Sequence, residues 1–157
     1  MSNNILELIK KNHPSIEFVA ADYSCWSPKS KQIFYNQEEL LDSTNPQAVW
    51  ALLHEVGHAL LNHQSYKFDV ELLKMEVEAW EKATEIAAIY NIKIDPEHVQ
   101  DCIDTYRDWL HQRSTCPECE NRSIQQDKQH YKCFNCSQIW TVSNSRFCRP
   151  YRKKLVS

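Results

Sequence analysis

The feature that most constrains this chain is a run, residues 48–61, that is apolar nearly all round yet carries His54, Glu55 and His58. An apolar stretch of that length reads as a core helix. Burying two imidazoles and a carboxylate in it is costly unless something compensates them. His54 and His58 are four residues apart, so on a helix they project from one face one turn apart. That spacing lets two imidazoles hold a single zinc ion. Glu55 lies about 100° round from His54, placed to reach a zinc-activated water without ligating the metal. In such a centre zinc acidifies the water and polarises a carbonyl, while the carboxylate accepts the proton and passes it to the leaving amine. The alternative is a chance match on an ordinary helix, and the apolar surroundings count against it.

A catalytic zinc takes three protein ligands and keeps one position open. The next predicted helix, residues 68–90, offers Glu71, Glu76, Glu78, Glu81 and Glu85. With Glu76 at the origin and about 100° per residue, Leu72, Leu73, Ala79, Trp80, Ala83, Ala87 and Tyr90 fall on its side. Glu76 is therefore centred on the buried stripe and is the expected third ligand. Glu78 points the other way with Lys74 and the remaining glutamates, as a solvated face would, and is the alternative. His63 is a further option, but in helical phase it lies opposite His54 and His58.

The string His54-Glu55-Val56-Gly57-His58-Ala59-Leu60-Leu61-Asn62-His63, followed by Glu76-Val77-Glu78-Ala79-Trp80, resembles the ImmA/IrrE metallopeptidases. That family shows HExGHxLLH and then an ExEAN-type motif. The preceding Ile33-Phe34-Tyr35-Asn36 is similar to its active-site edge strand. The resemblance covers roughly residues 15–90. It implies a compact gluzincin whose third ligand comes from the second motif, and members of known target cut transcriptional repressors. Trp80 stands where the family has Asn, and the chain carries a cysteine module where a helix-turn-helix or a partner repressor would be expected.

Cys116-Pro117-Glu118-Cys119 and Cys133-Phe134-Asn135-Cys136 are two CxxC knuckles, the pattern of a four-thiolate structural zinc site across a short hairpin. Tyr131, Ile139, Trp140 and Val142 give strand character around the second knuckle. Glu120 and Ser137 replace the glycine usual after each. No thioredoxin-like βαβ pattern surrounds either pair, which disfavours a redox role. Cys25 and Cys102 remain as core or free thiols, and Cys148 follows the ribbon, where it is placed to pack on it.

Between these motifs the chain reads as α+β. A helix at residues 3–12 precedes short strands at 16–20, 23–26 and 32–35, expected to form a small antiparallel sheet packed on the helical core. Helices at 46–62, 68–90 and 96–113 follow, the last opened by Asp95-Pro96-Glu97. With one glycine in the chain, Gly57, turns must rely on Asn, Asp, Ser and Pro. Residues 1–113 carry a net charge of -8 and residues 114–157 a net of +5. This shift places the boundary between a zincin-like domain (1–113) and a zinc ribbon with a basic tail (114–157). Arg146, Arg149, Arg152, Lys153 and Lys154, interleaved with aromatics, suit phosphate contacts and stacking, so nucleic acid is a candidate partner. A solvated terminus has the same composition.

No apolar run is long enough to span a bilayer and the start lacks signal-peptide character. The expectation is a cytoplasmic protein without membrane contact, its cysteines metal ligands or free thiols rather than disulfides. The leading functional expectation is a zinc endopeptidase acting on a protein or peptide, with Glu55 as general base and two zinc ions per chain. Substrate would pair as an added strand along residues 33–35. A SprT-like DNA-associated protease also joins HExxH to a ribbon but uses a third His. A zinc-stabilised binding protein would have no need of Glu55.

Overall fold

A computed structural model describes residues 2–143 and 152–155. The chain is mixed α and β and divides into two compact units, Met1–Ser65 with Met75–Val99, and Tyr66–Lys74 with Gln100–Ser157.

In the first unit, α1 (Ser2–Asn12) buries Leu6 and Ile9 and stops ahead of Pro14, whose ring disfavours helix in the residue before it. Three strands follow, β1 (Glu17–Ala21), β2 (Cys25–Ser27) and β3 (Gln32–Asn36), in the spatial order β1-β3-β2. β2 pairs antiparallel with β3, but β1 pairs parallel with it, Glu17 opposite Gln32 through Ala21 opposite Asn36. The sheet is thus mixed, where an antiparallel one was expected. The short β2–β3 connection makes a hairpin, and β1 skips its neighbour in sequence to reach the far side of β3. β3 is the central strand, flanked on both sides, so residues 33–35 are not a free edge; the edges are β1 and β2.

A one-turn helix absent from the sequence reading, α2 (Gln37–Leu41), is capped by the Asn36 side chain, which accepts from the Glu39 N–H. Then come α3 (Pro46–Leu60) and α4 (Asp69–Ile89), most of which belongs to this unit. Pro46 supplies the first turn of α3, which buries Ala48, Leu52, Leu53 and Val56 together with His54 and His58. α4 offers a stripe of Glu76, Ala79, Trp80, Ala83 and Ala87, all buried as helical phase predicted. Gly57 sits against this stripe: a Cβ there would lie 2.5 Å from the Ala79 carbonyl oxygen. The only glycine of the sequence is therefore what lets the backbones of α3 and α4 meet.

The second unit holds the first residues of α4, most of α5 (Pro96–Ser114) and an antiparallel sheet of β4 (Ile124–Gln125), β5 (His130–Lys132), β6 (Ile139–Val142) and β7 (Arg152–Lys154), in that order. It is larger than the module read from the charge shift. The reason is a buried polar hub: Arg113 Nε donates to Asp69 Oδ2 at 2.7 Å, Tyr131 Oη donates to the same oxygen at 2.7 Å, and Trp140 Nε1 donates to the Arg113 carbonyl at 3.0 Å. Cys116, Tyr131, Cys133, Trp140 and Val142 form its small core. The two knuckles are built alike. Glu120 N–H bonds the Cys116 carbonyl and Ser137 N–H the Cys133 carbonyl, while Cys116 N–H and Cys133 N–H bond the carbonyls of Asn121 and Gln138. Both loops close through a residue at positive φ, Glu120 at 62° and Ser137 at 64°. No helix among the described residues is long and apolar enough to cross a membrane.

Candidate metal centre and active site

α3 and α4 bring three side chains to one point. His54 Nε2 lies 3.0 Å from Glu76 Oε2 and 3.0 Å from His58 Nε2, and His58 Nε2 lies 3.2 Å from Glu76 Oε1. All three residues are buried. A tetrahedral zinc with bonds of about 2.0–2.1 Å holds such ligand atoms roughly 3.3 Å apart, so the spacing fits one ion. The donor chemistry fits as well. Two imidazole nitrogens and a carboxylate converging at 3.0–3.2 Å can all present lone pairs to one cation. Burial pushes the Glu76 carboxyl up, but hydrogen bonds and charge from the two histidines outweigh it and bring it to about 2. It is a carboxylate throughout the physiological range.

Glu55 projects beside this cluster without joining it. Its Oε2 accepts the backbone N–H of Trp26 at 2.7 Å, fixing the carboxylate at β2, the strand that leaves an edge beside α3. Burial raises the Glu55 pKa; His54, His58 and the Trp26 N–H oppose the shift, and Glu76 adds to it. A raised carboxyl pKa is the direction a general base working near neutrality requires.

The alternatives for the third ligand take a different place. Glu78 and His63 lie outside the cluster and meet each other, His63 Nε2 to Glu78 Oε2 at 3.3 Å, while His63 Nδ1 lies 2.8 Å from His58 Nδ1. Helical phase failed for His63 because α3 ends at Leu60. Asn62 takes φ of 52°, and the N–H groups of Asn62 and His63 bond the carbonyls of Ala59 and His58. This is a Schellman cap with Asn in the left-handed position, and it folds His63 back over His58. The signal was present in the sequence: an Asn just past an apolar helix in a chain almost without glycine.

Trp80 also has a visible role. Its indole stacks on the His54 ring at 4.3 Å between centroids. His54 Nδ1 is buried without a hydrogen-bond partner, so stacking orients this ring where a hydrogen bond orients His58. No family model, curated protein or solved structure matches the chain.

The four knuckle cysteines form a second cluster, with Cys116 Sγ 3.6 Å from Cys136 Sγ and Cys119 Sγ 3.5 Å from Cys133 Sγ. Zinc–sulfur bonds of about 2.3 Å place tetrahedral sulfurs roughly 3.8 Å apart, close to what is seen. Cys119 is lowered to about 6, chiefly by the Asn121 side-chain and backbone N–H groups and by the Asn135 amide. The Gln138 N–H lowers Cys136, yet burial and the three neighbouring thiols push it up to about 12. Four thiolates this close need a cation, and these residues would hold one.

Of the other cysteines, Cys25 is half-buried in β2, its thiol pushed up by burial and by the Glu55 charge, and Cys102 is half-buried on α5. Cys148, Arg146 and Arg149 lie outside the described residues. Among the tail cations that are described, Arg152 donates to the Thr115 carbonyl and Lys154 pairs with Glu118.

Proposed function

We propose that the chain is a zinc-dependent endopeptidase. The observation that carries this reading is the convergence of His54, His58 and Glu76 with a carboxylate from the same helix, Glu55, beside them and outside the ligand set. Bound zinc would supply Lewis-acid activation of water and of the scissile carbonyl. Glu55, held by the Trp26 N–H and raised toward neutrality, accepts a proton from the attacking water and returns it to the leaving nitrogen. His54, His58 and Glu76 are the residues that would hold the ion. The sheet edge beside Glu55 is that of β2, whose Trp26 N–H Glu55 itself holds, and an extended peptide would lie along it through the remaining backbone groups.

The resemblance to the ImmA/IrrE peptidases supports the reaction class and suggests a regulatory protein as substrate. The SprT-like alternative is weakened, because His63 contacts the outer nitrogen of His58 rather than the ligand cluster. A purely binding role leaves the placement of Glu55 unexplained.

The test is Glu55→Gln, which keeps size and hydrogen bonding but removes the base. Both zinc ions should be retained by elemental analysis, and activity should fall by roughly 10²- to 10⁴-fold. With the substrate unidentified, cleavage products are compared by proteomics in cells expressing wild type or the variant. Identical profiles under zinc-replete conditions would overturn the enzyme reading.

A further inference from the structure

We infer that Glu78 and His63 act as a pair of positioning residues that fix the tautomer of His58 and thereby set the affinity of the helix site for zinc. This rests on the metal-centre part of the reading above and not on catalysis.

Proton positions follow from which atoms can only accept. The Glu78 carboxylate accepts, so the proton on the facing nitrogen of His63 sits on Nε2. A neutral His63 then carries its lone pair on Nδ1. The atom facing that lone pair at 2.8 Å is His58 Nδ1, which must be the donor. A neutral His58 protonated on Nδ1 has a bare lone pair on Nε2, and Nε2 is the atom aimed at Glu76 and His54. The chain Glu78–His63–His58 thus presents one imidazole to the ion in the ligating tautomer. Each link is held independently of the metal. His63 is returned over His58 by the Schellman cap, and its carbonyl accepts from Trp26 Nε1 at 3.0 Å. Glu78 stands two residues from Glu76 on α4, about 200° round the helix, so a single helix supplies both a ligand and the outermost acceptor. The ExE spacing therefore has a physical reason: its first carboxylate joins the ligand cluster, and its second reaches His63 behind His58. His54, with no partner on Nδ1, has no such support, so the orienting hydrogen bonds fall on His58 alone.

The pair is separable from the ligands by zinc affinity, measured by competition with a chromogenic chelator on the full-length protein, with the cysteine-site zinc as internal control. His58→Ala and Glu76→Ala should abolish the helix-site zinc. His63→Phe should leave the site occupied at saturating zinc but weaken it roughly 10- to 100-fold, the usual scale for a ligand's hydrogen-bond partner. Glu78→Ala should weaken it less, and Glu78→Gln, whose amide oxygen can still accept from Nε2–H, should recover most of the loss. Nitrogen-15 spectra of the zinc-loaded protein should show His63 protonated on Nε2, a signature that mere packing would not set. Wild-type affinity in His63→Phe, or His63 protonated on Nδ1, would overturn the inference while the metal site stands. If His54→Ala and His58→Ala leave the zinc content unchanged, the metal-centre reading itself fails and the inference with it.

Discussion

A Cβ at Gly57 would lie 2.5 Å from the carbonyl oxygen of Ala79, inside any tolerated contact and against backbone that cannot rotate away. Gly57 is one turn-and-face from His54 and adjacent to His58, and Ala79 is one turn beyond Glu76, so this contact sets the distance across which the ligands meet. Gly57→Ala should gain about 1 kcal/mol of helix propensity but lose about 1–3 kcal/mol by overpacking. It should also weaken zinc binding as α4 is displaced. Chemical denaturation and chelator competition check both effects. A more stable protein with unchanged zinc affinity would show that the helices do not depend on this approach.

Much of this site was legible because its signals are periodic. Helical phase placed Glu76 on the buried stripe with Ala79, Trp80, Ala83 and Ala87, and four-residue spacing placed His54 and His58 on one face. Phase works while the helix lasts, which is why it misread His63, three residues beyond the end of α3 and past a left-handed Asn62. The sheet failed for a different reason. Strand patterns report which faces are buried but not which strands are neighbours, so nothing local told that β1 would pass over β2 to pair parallel with β3. The extent of the second unit was hidden too. Its hub joins Asp69, Arg113 and Tyr131 across long separations, and charge composition changes only after Arg113.

The amide of Asn121 donates to Cys119 Sγ at 3.3 Å, with Asn135 behind it at 3.6 Å. These contacts hold the Cys119 thiol at about 6, so its thiolate is available to a metal down to about that pH. Removing the amide raises the thiol pKa, and protons then compete at higher pH. Asn121→Ala should move the midpoint of acid-induced zinc loss from the cysteine site upward by roughly half a unit to one unit, since a hydrogen bond to a charged acceptor contributes about 1.5 kcal/mol. A dye-based release curve between pH 7 and pH 4 measures it, and a midpoint that stays or falls would refute this role for Asn121.

Glu120 and Ser137 occupy the left-handed region at φ of 62° and 64°, each closing a knuckle by donating its N–H to the first cysteine's carbonyl. Residues with a Cβ hold that conformation at a cost of about 1–2 kcal/mol, part of which glycine returns as lost chain entropy. Glu120→Gly and Ser137→Gly should each stabilise the cysteine module by about 0.5–1 kcal/mol, and because both loops close on one four-cysteine cluster the double variant reads out their coupling. Thermal denaturation of the singles and the double with zinc bound decides it. Destabilisation by both would mean that these side chains contribute more than their backbone costs.

Asp69 and Arg113 are each 2% exposed, and their ion pair is the one fully buried contact between charged side chains described in the second unit. Arg113 also donates to the Ser143 carbonyl and stacks over the Trp109 ring at 4.7 Å, while Asp69 accepts from Tyr131. Burial and the Asp69 charge both raise the Tyr131 pKa, so that hydroxyl remains a donor. Asp69→Leu strands a buried guanidinium and should cost about 3–5 kcal/mol, and Arg113→Met a similar amount. Tyr131→Phe should cost about 1.5–3 kcal/mol, the scale of a hydrogen bond to a charged acceptor. Removing both members of the pair leaves no uncompensated charge, so the Asp69→Leu/Arg113→Met double variant should be more stable than either single. The readout is denaturant-driven zinc release from the cysteine site, which follows this unit specifically. Strictly additive losses would mean that the two charges do not depend on each other and that the hub is held by packing of Trp109, Tyr131 and Trp140 instead.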